Sequence, residues 1–295
     1  MGKPRRIQKV FQSNPVIDGA GVRLNRVFGF TETPILDPFL LLDDFRSAIP
    51  DHYIRGFPWH PHRGIETITY MLDGSVEHGD SMGNKGIVSS GDVQWMTAGS
   101  GIIHQEMPKG DENGKMGGFQ LWANLPAADK MMKPRYQDVS SNQIPQVILK
   151  NGVTINVICG EVQGTKGPVS DIVIDPEYLD IQVPAHQSFV HPTKTGDTVF
   201  AYIIDGQGYF PPLLHPPSPD WKQDPAIQTI GNGTLVLFEK GTELTVSTDE
   251  HPMRFLLISG RPLHETIAWR GPIVMNTQEE LEQAFLEFQN GNFIK

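Results

Sequence analysis

The sequence predicts an all-β protein whose short antiparallel strands form a sandwich or barrel. Segments rich in β-branched and aromatic residues, such as 66–72 and 93–97, recur at near-regular spacing. Turn sequences separate them, among them Asp73-Gly74, and the 30 glycines and 24 prolines are spread along the chain. At 295 residues the chain is long enough for two domains.

The first half of the chain contains most of the strand signals in a regular order. Residues 16–27 combine a turn with an alternating strand, and 38–45 is an apolar run typical of a buried strand. Further strands are predicted at 66–72, 93–97, 102–107 and 118–124. Residues 125–141 are expected to form an irregular linker with room for a short helix.

The second half repeats this β pattern and ends in a helix. Strands are predicted at 153–158, 172–183, 198–204, 234–238 and 255–258. The Pro-rich segment 211–217 is predicted to be an exposed loop insertion. Near the end, Asn276 or Thr277 can cap a helix, and one apolar stripe is expected to pack on the sheets; it consists of Leu281, Ala284, Phe285 and Phe288. We expect the domain bounds to be 1–135 and 136–295.

Two pairs of potential metal ligands flank the strands of the first half. His60 and His62 form one pair, and His104 and Glu106 form the other. In a strand, residues i and i+2 point to the same face and lie roughly 6.6 Å apart. If the two strands are neighbours, the four side chains converge on one point. Three imidazoles and a carboxylate with open positions suit non-haem iron or a similar transition metal.

Glu66 is the alternative carboxylate ligand. On a straight strand it lies roughly 13 Å beyond His62, too far to share an ion with it, at about 3.3 Å per residue. A bend at Gly64 removes this objection, whereas Glu106 needs no bend. Geometry therefore favours Glu106.

Three further polar residues are candidates for the surroundings of the site. His78 is followed two residues later by Asp80, just past a hairpin, which indicates a pocket position or an ordinary surface loop. Gln120 is able to hydrogen-bond a ligand or substrate, or is a plain sheet residue. Asp43 is able to cap a strand end or to lie near the metal.

Composition excludes several functional classes. A net charge of -10 and a pI of about 5.4 argue against nucleic-acid binding driven by phosphate neutralisation. Cys159 is the single cysteine, which fits a reducing compartment, and we expect neither a secretory signal nor a membrane span. No dinucleotide-binding, Walker A or Gly-x-Ser-x-Gly sequence is present in a suitable setting.

Three segments resemble the pirins, a family of the cupin superfamily. The first is Gly-Phe-Pro-Trp-His-Pro-His-Arg-Gly-Ile-Glu-Thr-Ile-Thr-Tyr at 56–70. The second begins with Gly-Asp-Val-Gln-Trp-Met-Thr-Ala-Gly-Ser-Gly at 91–101 and continues with Ile-Ile-His-Gln-Glu-Met-Pro at 102–108. The third is Gly-Pro-Ile-Val-Met-Asn-Thr at 271–277. The resemblance spans nearly the whole chain.

The resemblance implies a bicupin fold. Two cupin barrels, of the double-stranded β-helix or jelly-roll type, would lie face to face, with a short helix at the C-terminus. The domain at 1–135 would hold the metal, and the domain at 136–295 would lack one. The implied ligands are His60, His62, His104 and Glu106, and the implied metal is Fe²⁺, with another divalent transition metal as the alternative.

Two functions follow from the resemblance. The first is a quercetin 2,3-dioxygenase-type reaction, in which O₂ opens the ring of a flavonol-like substrate and Glu106 also accepts the substrate hydroxyl proton. The alternative is an iron-dependent, redox-sensing regulator or transcription cofactor that binds a protein partner. For either, we expect a cytoplasmic monomer, nuclear in a eukaryote, without direct contact to nucleic acid or membrane.

Overall fold

The computed structural model describes residues 2–210 and 229–295, so the insertion predicted at 211–217 lies outside the described residues. The all-β prediction is confirmed. The strands of the first half are β1 (Ile7–Gln12), β2 (Asn14–Asp18), β3 (Val22–Phe28), β4 (Phe39–Asp44), β5 (Phe57–His62), β6 (Ile65–Asp73), β7 (Ser75–Asp80), β8 (Lys85–Ser89), β9 (Val93–Thr97), β10 (Ile102–Lys109), β11 (Gly117–Asn124) and β12 (Arg135–Val139).

The remaining strands continue this pattern to the C-terminal segment. They are β13 (Gln146–Ile148), β14 (Thr154–Cys159), β15 (Glu161–Val162), β16 (Thr165–Lys166), β17 (Glu177–Val183), β18 (Ser188–Pro192), β19 (Thr198–Gly208), β20 (Ile230–Gly231), β21 (Thr234–Phe238), β22 (Glu243–Ser247), β23 (Met253–Gly260), β24 (Ala268–Arg270) and β25 (Ile273–Met275). The helices are α1 (Thr33–Leu36) and α2 (Gln278–Gln289), and 3₁₀ turns form at Pro50–His52 and Ser141–Gln143.

The described residues form two compact units that differ from the predicted domains at both ends of the chain. The first unit comprises Asn14–Gln143 and Leu263–Lys295, and the second comprises Met1–Ser13 and Ile144–Pro262. The predicted bounds, 1–135 and 136–295, assign each end of the chain to the other unit. The N-terminal strand β1 pairs with β21, over two hundred residues later, and α2 packs on β24 and β25 of the first unit. Neither long-range pairing leaves a local signal in the sequence.

The first unit contains a seven-stranded and a four-stranded antiparallel sheet. Their strand orders are β12-β9-β6-β11-β4-β3-β2 and β5-β10-β7-β8. Buried apolar residues fill the unit, including one cluster around Val22, Leu24, Val76 and Met116. This order makes β5 an edge strand, which is where Pro58 and Pro61 are tolerated because they lack a backbone N–H.

The second unit is built around a larger sheet with the strand order β1-β21-β19-β23-β17-β14-β13, and β20 pairs with β19. The pair β18–β22 forms a separate two-stranded sheet. Alternate residues of the central strands, such as Val199, Ala201, Phe255 and Leu257, are fully buried in one core cluster. The alternation is the expected period of a strand with one face toward the core.

Segment 125–141, which the sequence predicts to be an irregular linker, contains a strand that the prediction missed. Strand β12 pairs with β9 from Arg135 opposite Thr97 to Val139 opposite Val93. Of its five residues, only Val139 is buried. The strand lies at the sheet edge and carries mostly polar residues, so the apolar alternation that reveals a strand is absent.

The C-terminal helix begins as predicted but differs along its apolar stripe. Thr277 caps it, and the side chain of Glu280 completes a capping box. Leu281 and Ala284 are buried, whereas Phe288 is 38% exposed and packs edge-on against Phe293. Within the described part of the chain, the helices are too short and too polar to cross a membrane.

Candidate metal centre

Strands β5 and β10 bring the predicted ligands together. They pair antiparallel, with His104 directly opposite His60, so the predicted adjacency of the two strands is confirmed. The register then shifts, and Glu106 lies opposite Phe57. Two steps along β10 oppose three along β5, so the extra residue belongs to β5, whereas β10 pairs with β7 without interruption and keeps His104 and Glu106 on one face. The two ligand pairs therefore lie on one face of the four-stranded sheet.

The three histidine rings meet through their Nε2 atoms. Nε2 of His60 lies 3.0 Å from that of His62 and 3.0 Å from that of His104. One nitrogen from each ring lies within 4.8 Å of the other two. At a metal–nitrogen distance of about 2.1 Å, two nitrogens at right angles lie about 3.0 Å apart. The His60–His62 and His60–His104 separations thus each match the distance between two nitrogens bound at right angles to one ion.

Hydrogen bonds to carbonyl groups fix the tautomers of two of these rings. His60 Nδ1 donates to the carbonyl oxygen of Pro58 at 2.9 Å, and His62 Nδ1 donates to that of Pro272 at 3.2 Å. A carbonyl oxygen only accepts, so each Nδ1 carries a hydrogen. In a neutral ring, Nε2 is then left with its lone pair, the form in which a histidine binds metal.

Burial keeps the inner histidines neutral. It lowers the pKa of His62 well below its usual value, with further lowering by His60 and His104. Burial also lowers the pKa of His104 to about 4, against the opposing charge of Glu106. Two unprotonated nitrogens at 3.0 Å repel each other unless a cation lies between them. The buried Nδ1 of His104 also has no hydrogen-bond partner among the described residues. This donor set fits a divalent metal ion.

Glu106 faces the same centre and is held by an amide. Its Oε2 atom lies 4.0 Å from His104 Nε2, and the residue is 6% exposed. Its Oε1 atom accepts a hydrogen bond from Gln120 Nε2 at 3.1 Å. The indole N–H of Trp122 donates to Gln120 Oε1 at 3.2 Å, which fixes the orientation of the amide. The carboxylate is therefore oriented by two residues of β11, a strand of the seven-stranded sheet.

Glu66, the alternative ligand, is bonded elsewhere. It is 1% exposed and accepts a hydrogen bond from Thr97 Oγ1 at 2.7 Å. Burial raises the pKa of this carboxyl, although the Thr97 hydrogen bond opposes the rise. Gly64 does bend the chain, with φ of +77°. Among the described residues, the cluster of candidate ligand atoms consists of the three histidines and contains neither glutamate, but Glu106 Oε2 lies 4.0 Å from His104 Nε2 whereas Glu66 is bonded to Thr97.

A cavity of about 660 Å³ opens onto His60, His62 and Glu106. Its walls include the aromatic rings of Trp59, Trp122, Trp269 and Phe30. The Trp122 ring packs edge-on against His62, with centroids 5.1 Å apart, and its centroid lies 6.0 Å from that of Trp269. The cavity thus offers flat apolar surfaces beside the ligand atoms.

The polar candidates occupy different positions. Asp43 and Gln120 line this cavity, and both carboxylate oxygens of Asp43 accept hydrogen bonds from Arg26, at 2.9 and 2.8 Å. His78 lies opposite Glu106 on β7 but lines a separate cavity of about 480 Å³. It is 9% exposed and lies 2.9 Å from Gln94 Nε2, so a surface-loop position for it is wrong.

Sequence reasoning missed several residues of the cavity. Trp122 follows Gln120 by two positions on β11. Residues i and i+2 of a strand share a face, so this spacing predicts that Trp122 lies on the same side as Gln120. Trp269 and Pro272 come from the distant C-terminal segment, and nothing local to the site indicates them. Arg26 lies on β3 and becomes recognisable only from its pairing with Asp43 on β4.

Comparisons with known proteins agree with this fold. A family model described as Pirin matches residues 21–123, and one described as the Pirin C-terminal cupin domain matches residues 178–294. The prediction of two cupin domains is therefore confirmed.

Three similar proteins span nearly the whole chain. A pirin-like protein of Caulobacter vibrioides is 41% identical over 292 residues, which cover 98% of this chain and 99% of that protein. A Pseudomonas aeruginosa protein named provisionally as a quercetin 2,3-dioxygenase is 40% identical over 295 residues, with 99% coverage of both. A crystal structure of quercetin 2,3-dioxygenase from Acinetobacter baumannii has a TM-score of 0.84, 29% identity and 98% coverage of both chains.

Proposed function

Because the chain belongs to the pirin family, we propose that it is a metal-dependent dioxygenase of the quercetin 2,3-dioxygenase type, which opens a flavonol ring with O₂. The observation that carries the proposal is the convergence of three imidazole Nε2 atoms beside a cavity with aromatic walls. The names of the Pseudomonas and Acinetobacter proteins support this class of reaction.

His60, His62, His104 and Glu106 are the proposed ligands of an Fe²⁺ ion. Imidazole and carboxylate ligands suit iron, and other divalent transition metals accept the same donors. When bound, iron supplies the one-electron chemistry that allows O₂ to react with an organic substrate. We also propose a cytoplasmic setting, since Cys159 is the single cysteine and an intramolecular disulfide framework is therefore impossible.

The cavity walls suit a flat polyphenol. A volume of about 660 Å³ lies within the usual range of small-molecule sites. Trp122 and Trp269 provide faces against which fused aromatic rings can stack. Arg26 is neutralised by Asp43 and Asp18 at 2.8 and 2.7 Å, so its charge does not demand an anionic substrate. Together these walls suit an aromatic ring system placed beside the ligand atoms.

Glu106 has a second proposed role as a proton acceptor. Gln120 Nε2 lies 3.1 Å from its Oε1 atom and 3.4 Å from its Oε2 atom, and Oε2 lies 4.0 Å from His104 Nε2. A flavonol reacts more readily with oxygen after loss of a hydroxyl proton, and the Glu106 carboxylate, which lines the cavity, is the group proposed to accept it.

The test is turnover of quercetin by iron-loaded protein. Loss of flavonol absorbance should accompany an equimolar uptake of O₂, and both atoms of ¹⁸O₂ should enter the product. We expect His60→Ala and Glu106→Ala to abolish turnover. His264→Ala, at an exposed histidine of the same unit, is the control and should retain it.

Two outcomes would overturn the proposal in different ways. Failure of the protein to bind any divalent metal would remove the metal centre itself. Stoichiometric iron without turnover would leave the centre intact and favour the regulator, for which binding of a protein partner should depend on the oxidation state of the iron.

A further inference from the structure

A second, much smaller cavity lies on the other side of Glu106. Its volume is about 30 Å³. A cavity needs roughly 10–15 Å³ to hold a water-sized probe, so this one admits a single diatomic or triatomic molecule and no organic substrate. Asp43, Phe57, Glu106 and Gln120 line both this cavity and the 660 Å³ cavity. They form the wall that separates the two spaces.

The walls of the small cavity are mostly hydrocarbon. Val22, Leu24, Phe45, Val76 and Met116 line it, and each of them is at most 7% exposed. All five belong to one buried apolar cluster of the first unit. The cavity therefore borders the buried apolar core of the first unit.

The polar groups on its wall already have protein partners. Asp43 accepts two hydrogen bonds from Arg26, and the Tyr53 hydroxyl donates to the carbonyl oxygen of Gly114 at 2.7 Å. Gln120 donates to Glu106 and accepts from Trp122. A buried water usually makes about three hydrogen bonds to groups that lack other partners. Few such groups are present, so the cavity favours an apolar occupant over water.

We propose that this cavity is a binding site for O₂. The Glu106 carboxylate would then lie between the bound O₂ and the organic substrate in the 660 Å³ cavity. The role rests on the proposed oxygenase function, whereas the binding itself does not. O₂ is small, uncharged and a poor hydrogen-bond partner, and apolar cavities in proteins take up comparably small apolar atoms such as xenon. The arrangement keeps the two reactants in separate spaces that share the Glu106 carboxylate as a wall.

The direct test uses O₂ itself as a paramagnetic probe. Methyl NMR spectra of the metal-free protein are recorded under nitrogen and under pressurised O₂. We expect relaxation of the Leu24 and Met116 methyl groups to increase several-fold more than that of Ile181 and Leu257, which are fully buried and do not line this cavity. Equal increases at both sets, or an ordered water in the cavity of a crystal structure, would overturn the proposal.

A matched pair of variants links the cavity to catalysis. Val76→Ile adds a methylene group to the lining, which should abolish the excess relaxation and raise the KM for O₂ several-fold. Val88→Ile adds the same group at the residue directly opposite Val76, in the same cluster but outside the lining, and should change neither. The KM for flavonol and the iron content should stay constant in both variants.

The outcomes separate this inference from the proposed function. If wild-type protein binds iron but does not turn over quercetin, the oxygenase proposal fails, and the relaxation measurement still decides whether the cavity binds O₂. If turnover occurs but Val76→Ile loses the excess relaxation without any change in the KM for O₂, the cavity has no role in oxygen supply and the inference is wrong.

Discussion

Arg63 donates a hydrogen bond from Nη1 to Glu287 Oε2 at 2.8 Å. Because Arg63 directly follows His62, this bond connects the C-terminal helix α2 to the end of the strand that carries two of the proposed ligands. Two further donors of Arg63 reach the carbonyl oxygens of Ser100 and Phe293, each at 2.7 Å, and the guanidinium lies over the Phe293 ring. Arg63 is 2% exposed, so its charge depends on these partners.

We expect Glu287→Ala to destabilise the first unit by about 2–3 kcal/mol, because it leaves a buried charge without its counter-ion. The midpoint of urea unfolding measures the change. Glu282→Ala, on the exposed side of the same helix, is the matched control and should shift the midpoint by less than about 0.5 kcal/mol in free energy. Equal shifts in the two variants would contradict the role of the ion pair.

Lys130 should make stability depend on pH. It is 1% exposed, it donates to Gly64 O, Asn124 Oδ1 and Val274 O, and burial lowers its pKa to about 7. The folded pKa is below the unfolded value of 10.5, so the unfolded chain binds the proton more tightly. The contribution of Lys130 to the free energy of unfolding is therefore lowest below pH 7. It rises between about pH 7 and 10.5 and is constant above that range.

The measurement for Lys130 is the urea midpoint as a function of pH. Lys130→Met should lose the part of the rise that wild type shows between pH 7 and 10.5. The variant should also be less stable near neutral pH, because three carbonyl oxygens lose their donor. A variant that keeps the full wild-type pH profile would show that another group titrates.

Gly64→Ala should disrupt the metal centre. Gly64 has φ of +77°, and a Cβ there would lie 1.9 Å from the carbonyl oxygen of Val274. The left-handed conformation alone costs an alanine about 1–2 kcal/mol, and the clash adds to it. Gly83→Ala is the control, since Gly83 also has positive φ but open space around it. Calorimetry should show a larger loss of stability in Gly64→Ala than in Gly83→Ala, together with weaker binding of zinc.

Gln120 should control metal affinity through Glu106. Gln120→Leu removes the donor that aims the carboxylate, so we expect metal binding to weaken by about 10–100-fold. Trp122→Phe, which frees the Gln120 amide to rotate, should have a smaller effect in the same direction. Competition with a chelator gives the affinities. Gln105→Leu, between His104 and Glu106 on the same strand, should leave them unchanged.

The two candidate glutamates can be separated by equivalent substitutions. Glu106→Gln should weaken metal binding, because it replaces the proposed carboxylate ligand with an amide. Glu66→Gln should leave the affinity unchanged, because its partner is the Thr97 hydroxyl. The same chelator titration decides between them, and weaker binding in Glu66→Gln alone would make Glu66 the ligand.

The sequence was able to predict the features that depend on local periodicity. His60 and His62, like His104 and Glu106, are two positions apart on strands, and that spacing alone placed each pair on one face. Local patterns also predicted a helix cap at Asn276 or Thr277, and Thr277 is the residue that caps α2. These features depend only on residues that are neighbours in the chain.

Other features depend on contacts that no local pattern encodes. Trp269 reaches the cavity from a strand pair far along the chain, and Pro272 supplies the carbonyl group that fixes the His62 tautomer. The bulge between Phe57 and His60 becomes visible only in the pairing of β5 with β10, and β12 is recognisable only from its partner β9. The small cavity behind Glu106 depends on how side chains from several strands fill the space between them, which composition does not specify.

The exchange of chain ends between the two units has a consequence for protein synthesis. Asn14–Gln143 are translated before the segment Ile144–Pro262 of the other unit, and Leu263–Lys295 are translated after it. At about 5–20 residues per second, the nascent first unit therefore lacks α2 and Pro272 for several seconds or more. A metal ion that binds during this interval would meet a site without the Pro272 carbonyl group that orients His62.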